Sequence, residues 1–60
     1  MNCLNDLKEA LIKQNQKITE FSGYQLIYNG SVYTMSHGDF YENNTPILEK
    51  ELISKLKLKG

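Results

Sequence analysis

The 60-residue chain contains no arginine and only one cysteine, Cys3. A lone cysteine cannot form an intrachain disulfide, whereas a small secreted domain usually needs two or more such bridges. No apolar run is longer than three residues, and the N-terminal segment lacks the basic start and apolar core of a signal peptide. We therefore expect neither export nor a transmembrane helix, and we predict a cytoplasmic protein.

The chain also lacks an excess of charge of either sign. Seven lysines balance seven acidic residues, and no lysine occurs between Ile18 and Glu49. Binding to nucleic acid or to an anionic membrane requires clustered cations that neutralise phosphate. We therefore expect neither as the partner. The one basic segment, which could serve a nucleic-acid-binding regulator as an alternative, contains Lys50, Lys55, Lys57 and Lys59.

Patterns for catalysis and for cofactors are equally scarce. The sequence has no glycine-rich phosphate loop, no C-x₂-C and no H-x₃-H pair. Ser36, His37 and Asp39 lie within four residues, but a tight surface turn would point the three side chains in different directions. Cys3 and Glu42 add only scattered candidate metal ligands. We therefore expect no cofactor, no metal and no enzymatic activity.

A chain this short forms one domain of about the minimum size, and we predict a single α+β domain over residues 1–60.

Helical periodicity characterises the first element. Apolar residues recur at steps of three, four and seven, which predicts a helix from Asn5 to about Lys17 with Asn5 or Asp6 as the N-cap. The residues of its apolar stripe are Leu4, Leu7, Leu11 and Ile18.

The middle of the chain predicts a three-stranded antiparallel meander. Asn29 and Gly30 form the dipeptide most typical of a two-residue type I′ hairpin turn. His37 and Gly38 predict a second tight turn. The first turn pairs Tyr24 with Met35, Gln25 with Thr34, Leu26 with Tyr33, Ile27 with Val32 and Tyr28 with Ser31, and the second pairs Met35 with Phe40 and Thr34 with Tyr41.

A second helix is predicted to start at Thr45 and Pro46. Thr45 is a favourable N-cap, and Pro46 is tolerated at the first helical position, where its missing N–H costs no hydrogen bond. Acidic residues then lie near the N-terminus and lysines near the C-terminus, which complements the helix dipole. The predicted apolar stripe consists of Ile47, Leu48, Leu52, Ile53 and Leu56.

The two faces of the predicted meander differ in character. Alternation along the strands separates an aromatic face, onto which both helices are expected to pack, from a second face. The aromatic face consists of Tyr24, Leu26, Tyr28, Tyr33, Met35 and Phe40. Two short helices can cover only one side, so the other side would expose on the order of 300 Å² of apolar surface. Its predicted partner-binding residues are Ile27, Val32, Thr34 and Tyr41.

These observations favour a non-enzymatic interaction protein. With no proline and no lysine in the predicted strands, the sheet edges are open to pairing, and a minimal domain gains core by association. We therefore expect a homodimer. A composition rich in lysine, asparagine and isoleucine favours an AT-rich bacterial or phage genome, and we predict a small regulator or inhibitor that binds a partner protein. A small-molecule-binding dimer is the other alternative to this prediction.

Overall fold

The computed structural model describes residues 1–58 and shows an α+β protein with two helices and a five-stranded antiparallel sheet. The class is as predicted, but the sheet has five strands instead of three. The strands follow one another in chain order, β1-β2-β3-β4-β5. Lys59, predicted near the end of the second helix, lies outside the described residues. The elements are α1 (Leu4–Lys13), β1 (Glu20–Phe21), β2 (Gln25–Tyr28), β3 (Ser31–Ser36), β4 (Asp39–Glu42), β5 (Thr45–Ile47) and α2 (Glu49–Lys55).

Both predicted hairpin turns are confirmed. Asn29 and Gly30 have φ angles of 51° and 81°, and His37 and Gly38 have φ angles of 51° and 82°. Positive φ at both central residues defines the type I′ turn, whose twist matches that of the flanking strands. The observed register pairs Gln25 with Thr34, Leu26 with Tyr33, Ile27 with Val32, Tyr28 with Ser31, Met35 with Phe40 and Thr34 with Tyr41, as predicted.

A further turn, at Gly23 and Tyr24, adds the unpredicted strand β1. The Ser22 N–H donates to the Gln25 carbonyl oxygen at 3.0 Å, and Gly23 has a φ of 97°. Because the chain reverses here, Tyr24 lies in the turn and is 75% exposed. Its predicted place on the aromatic face, opposite Met35, is therefore wrong.

Thr45 and Pro46 belong to strand β5, so the predicted start of the second helix is wrong. Asn43 and Asn44 have φ angles of 51° and 67°, which forms another type I′ turn immediately after β4. Asparagine adopts this left-handed conformation more readily than most residues. The chain therefore returns along β4, with Pro46 opposite Tyr41, before the helix begins.

Helix α1 begins one residue earlier than predicted and is capped differently. Its N-cap is Cys3, and Asp6 occupies the third helical position. The Asp6 carboxylate accepts hydrogen bonds from the backbone N–H of Asn2 at 2.9 Å and of Cys3 at 3.3 Å. These bonds, that from Asn2 above all, lower the pKa of Asp6. The carboxylate thus satisfies two N–H groups at the start of the helix.

Helix α1 ends at Lys13 instead of Lys17 because the chain turns out of the helix at Asn15, whose φ is 60°. The Asn15 N–H donates to Ile12 O and the Gln16 N–H donates to Leu11 O, each at 3.0 Å. This pair of bonds is the Schellman arrangement that closes helix C-termini. Ile18 therefore lies outside the helix, although it still packs against the core.

Helix α2 begins after Leu48, an extended N-cap that is 59% exposed. The predicted burial of Leu48 is wrong because this residue precedes the first helical turn. Leu52 is completely buried, as predicted. The helix ends in a second Schellman arrangement, with Lys57 at a φ of 55° and the Leu58 N–H bonded to Ile53 O at 2.9 Å.

One hydrophobic core joins both helices to the sheet. Leu26, Tyr33 and Phe40 supply the core from one face of the sheet, and the other core residues are leucines of the helices and of the segment after α2. Burying one such leucine stabilises the fold by about 1.5–3 kcal/mol relative to leaving it exposed. Within the part of the chain that the structure describes, the buried core residues are Leu4, Leu7, Leu11, Leu26, Tyr33, Phe40, Leu52 and Leu58.

Candidate functional site

The four predicted partner-binding residues lie together on the side of the sheet opposite the core, which we call the outer face. Successive side chains of a strand point to opposite faces, so the residues between the core positions point away from the helices. Ile27 lies opposite Val32 and Thr34 lies opposite Tyr41. Val32 and Thr34 are also alternate residues of β3, so the four form one continuous cluster.

The apolar residues of this cluster are half-buried without belonging to the core. Ile27, Val32 and Tyr41 have intermediate exposure, and none of them packs against the core cluster. The leucines of both described helices pack on the opposite face. Neighbours on the outer face therefore provide this partial shielding, and the outward surfaces of the three side chains remain accessible.

The strand register extends the outer face toward both edges of the sheet. Glu20 lies opposite Ile27, Gln25 opposite Thr34 and Pro46 opposite Tyr41. Leu48 continues the extended backbone directly after Ile47, which packs on the core, so alternation directs Leu48 to the outer side. Pro46 and Leu48 are thus outer-face residues that sequence reasoning missed. The sequence signal for their position was the pair Asn43 and Asn44, which forms the turn that precedes Pro46 and Leu48.

The strands that form the outer face carry acidic residues and no lysine. Glu20 and Asp39 are exposed, and within residues 1–58 neither side chain has a hydrogen-bond or ion-pair partner. None of the strands formed by these residues contains a lysine. A surface that combines an apolar centre with unpaired carboxylates is complementary to an apolar surface with basic residues around it.

Both edges of the sheet are poor sites for adding a strand. At one edge, β1 has only two residues. At the other, Glu42 and Thr45 flank a two-residue turn, so they are expected to exchange hydrogen bonds, and the next pair, Tyr41 and Pro46, directs its backbone groups outward. Pro46 has no N–H to offer there. The expectation that no proline lies within the strands is therefore wrong.

A polar network on the core side joins two strands to α2. The Tyr33 hydroxyl donates to Glu42 Oε2 at 3.0 Å, and Lys55 Nζ lies 2.7 Å from Oε1 and 2.6 Å from Oε2 of the same carboxylate. Burial, followed by the nearby Glu42 carboxylate, raises the pKa of Tyr33 to about 12. The hydrogen bond from Lys55, with a smaller one from Tyr33, lowers the pKa of Glu42.

The residues considered for catalysis or metal binding are distributed over several environments. Ser36 Oγ lies 3.0 Å from His37 Nδ1, and both residues are exposed. Cys3 and His37 line one cavity of about 350 Å³, whereas Glu42 is engaged by Tyr33 and Lys55. Within residues 1–58, no three or more cysteine, histidine, aspartate or glutamate residues gather where they could hold a metal ion.

Two lysines of the C-terminal segment, Lys55 and Lys57, lie in separate environments. Lys55 is bound to Glu42. Lys57 lines a groove of about 680 Å³ beside α1, together with Asp6, Glu9 and Lys13. One of these two lysines is therefore neutralised by a carboxylate, and the other lies near side chains of both charges, whereas a nucleic-acid backbone requires clustered cations.

Comparisons with known proteins leave the site to be judged on its geometry. No protein-family model matches the chain, and the searches of curated proteins and of solved structures found no significant match. Neither helix in residues 1–58 is long and apolar enough to cross a membrane.

Proposed function

We propose that this protein is a non-enzymatic interaction module whose outer face binds a surface of a partner protein. The supporting observation is the apolar cluster of Ile27, Val32 and Tyr41, which lies on the face that the described helices leave uncovered. Exposed apolar clusters within a polar surround are typical of protein interaction sites. By covering its partner's surface, the protein would act as a regulator or inhibitor, as the sequence suggests for a bacterial or phage chain.

The charges of the outer face define the partner surface further. Among residues 1–58, the Glu20 and Asp39 carboxylates beside the apolar cluster have no hydrogen-bond or ion-pair partner. The partner therefore presents apolar side chains with lysine or arginine around them, since complementary charges increase association rates and exclude wrong partners. In a homodimer through this face, both copies would contribute their unpaired carboxylates to one interface. We therefore favour a different protein over a second copy.

The size of the outer face requires contacts beyond the strands. Strands lie about 4.8 Å apart and advance about 3.4 Å per residue, so this sheet offers a face on the order of 300 Å². A stable interface usually buries about 800 Å² on each partner, which is more than the sheet face offers. The exposed side chains of Tyr24 and Leu48, near the same end of the sheet, can supply part of the difference.

Photo-crosslinking tests the proposed face directly. A benzoylphenylalanine in place of Tyr41 is expected to crosslink, in cells of the native host, to one other protein at a peptide rich in apolar and basic residues. The matched control places the same group at Ile12, which is 50% exposed on α1. Val32→Lys should abolish the adduct at position 41 without unfolding the protein, as checked by its melting temperature.

Other outcomes would contradict this assignment. Equal adducts from positions 12 and 41 would show no preference for the outer face. A crosslink to a second copy, together with a dimer mass in light scattering that Val32→Lys reduces to the monomer mass, would establish the self-association expected from the sequence. Binding to generic duplex DNA that weakens steeply with salt would instead favour the lysine-rich segment.

A further inference from the structure

A small groove continues the outer face where β4, β5 and α2 meet. Its volume is about 140 Å³. Most of its wall is apolar, and Pro46 and Leu48 are exposed within it. We call it the β5 groove. The residues that line it are Asp39, Phe40, Pro46, Ile47, Leu48 and Glu51.

Two carboxylates without partners lie in the wall of the β5 groove. Asp39 and Glu51 are exposed, and neither side chain has a hydrogen-bond or ion-pair partner within residues 1–58. Nearby acidic groups differ in this respect. Glu42 is bound by Lys55, and Glu49 Oε1 lies 3.1 Å from the N-terminal ammonium. The groove therefore combines accessible apolar surface with negative charge that none of the described side chains neutralises.

We infer that the β5 groove receives one lysine or arginine side chain of the partner protein, an assignment that rests on the proposed function of the outer face. Long basic side chains place their methylene stems against apolar surface and keep the charged head at a polar rim. Pro46 and Leu48 provide the contact for the stem. Asp39 and Glu51 provide the carboxylates for the head, where ionised partners strengthen the hydrogen bonds.

The position of the groove also predicts the spacing of the recognised residues. Asp39 and Tyr41 are alternate residues of β4 and lie on the outer face, about 7 Å apart along the strand. An extended partner segment advances by a similar distance over two residues. We therefore expect the basic residue to stand about two positions from an apolar residue that covers Tyr41.

Selection from a random peptide library displayed on phage tests this inference with the full chain immobilised. The wild-type protein should enrich peptides with lysine or arginine about two positions from an apolar residue. The Asp39→Asn/Glu51→Gln double variant should keep the apolar preference, lose the basic preference and bind the selected peptide roughly tenfold more weakly, a change of about 1.4 kcal/mol. Glu9→Gln removes an exposed carboxylate on α1, away from the outer face, and should change neither preference.

The outcomes separate the groove from the face. An apolar consensus without a basic position, or a basic preference that survives in the double variant, would overturn the role of the groove and leave the outer face supported. A consensus that Val32→Lys does not alter, in a protein with an unchanged melting temperature, would instead overturn the outer face as the binding site. The absence of any consensus for the wild-type protein would overturn both.

Discussion

At the residue scale, asparagine occupies several of the positions where the chain reverses direction. Asn15, Asn29, Asn43 and Asn44 all have positive φ angles, and each lies at a helix end or in a two-residue turn. The asparagine side chain is short and polar, so the left-handed conformation costs it less than it costs most residues. The backbone reversals of this protein therefore depend on side-chain identity at a few exposed positions.

The Glu42 carboxylate makes stability depend on acidic pH. Lys55 and Tyr33 stabilise its ionised form, so its pKa lies below the ordinary 4.5. A group whose pKa is lowered by folding stabilises the protein above its ordinary pKa, and this contribution disappears as the pH falls through the folded-state value. We expect Glu42→Gln to reduce the unfolding free energy at pH 7 and to flatten its decrease below about pH 4.5. Urea unfolding at pH 7 and pH 3 measures both effects.

Glu20→Gln is the matched control for this pH dependence. Glu20 has no hydrogen-bond or ion-pair partner in residues 1–58, so its substitution should leave the acid profile of the wild-type protein unchanged. If the profiles of Glu42→Gln and the wild-type protein remain parallel from pH 7 to pH 3, the network does not contribute to stability in the manner described.

At the element scale, local sequence predicted the central hairpins better than the boundaries of the helices. Asn29 and Gly30 fit one turn type almost uniquely, so both the turn and its register could be predicted. Thr45 and Pro46 are compatible with either a helix start or an edge strand. Pairing with β4 decides between these alternatives, and that pairing depends on the preceding asparagine turn rather than on the dipeptide itself.

Truncation of Leu52 should destabilise the protein far more than the same truncation of Leu48. Leu52 is completely buried in the core, whereas Leu48 is 59% exposed. Leu52→Ala should cost roughly 2–5 kcal/mol through lost burial and a cavity, but Leu48→Ala should remain within about 0.5 kcal/mol of the wild-type protein. Urea unfolding compares the two variants. Equal losses would contradict the observed boundary between β5 and α2.

At the scale of the whole molecule, part of the candidate site could be predicted from the two central hairpins alone. Strand alternation alone places Ile27, Val32, Thr34 and Tyr41 on one face. The β5 groove could not be predicted in the same way, because it forms only where β4, β5 and α2 meet. Its position requires the long-range arrangement of three elements, which short sequence patterns do not specify.

Pro46 should limit pairing between copies at the β5 edge. Pro46→Val restores an N–H at the position whose backbone groups point outward, and valine also favours strands. We expect this variant to show a higher mass than the wild-type protein, increasing with concentration, in size-exclusion chromatography with light scattering. Thr45→Val is the control, because the Thr45 N–H faces β4. If Pro46→Val keeps the wild-type mass at every concentration, proline does not protect this edge.

The chain-order arrangement of the strands has a consequence for folding kinetics. Every strand of the sheet pairs with its neighbour in sequence, and closing such short loops costs little chain entropy. An isolated hairpin typically forms in about 1–10 μs. The sheet can therefore assemble by successive addition of hairpins, beginning at Asn29 and Gly30. Docking of α1 and α2, which lie at opposite ends of this sequence of strands, joins the most distant parts of the chain and is expected to be the slower step.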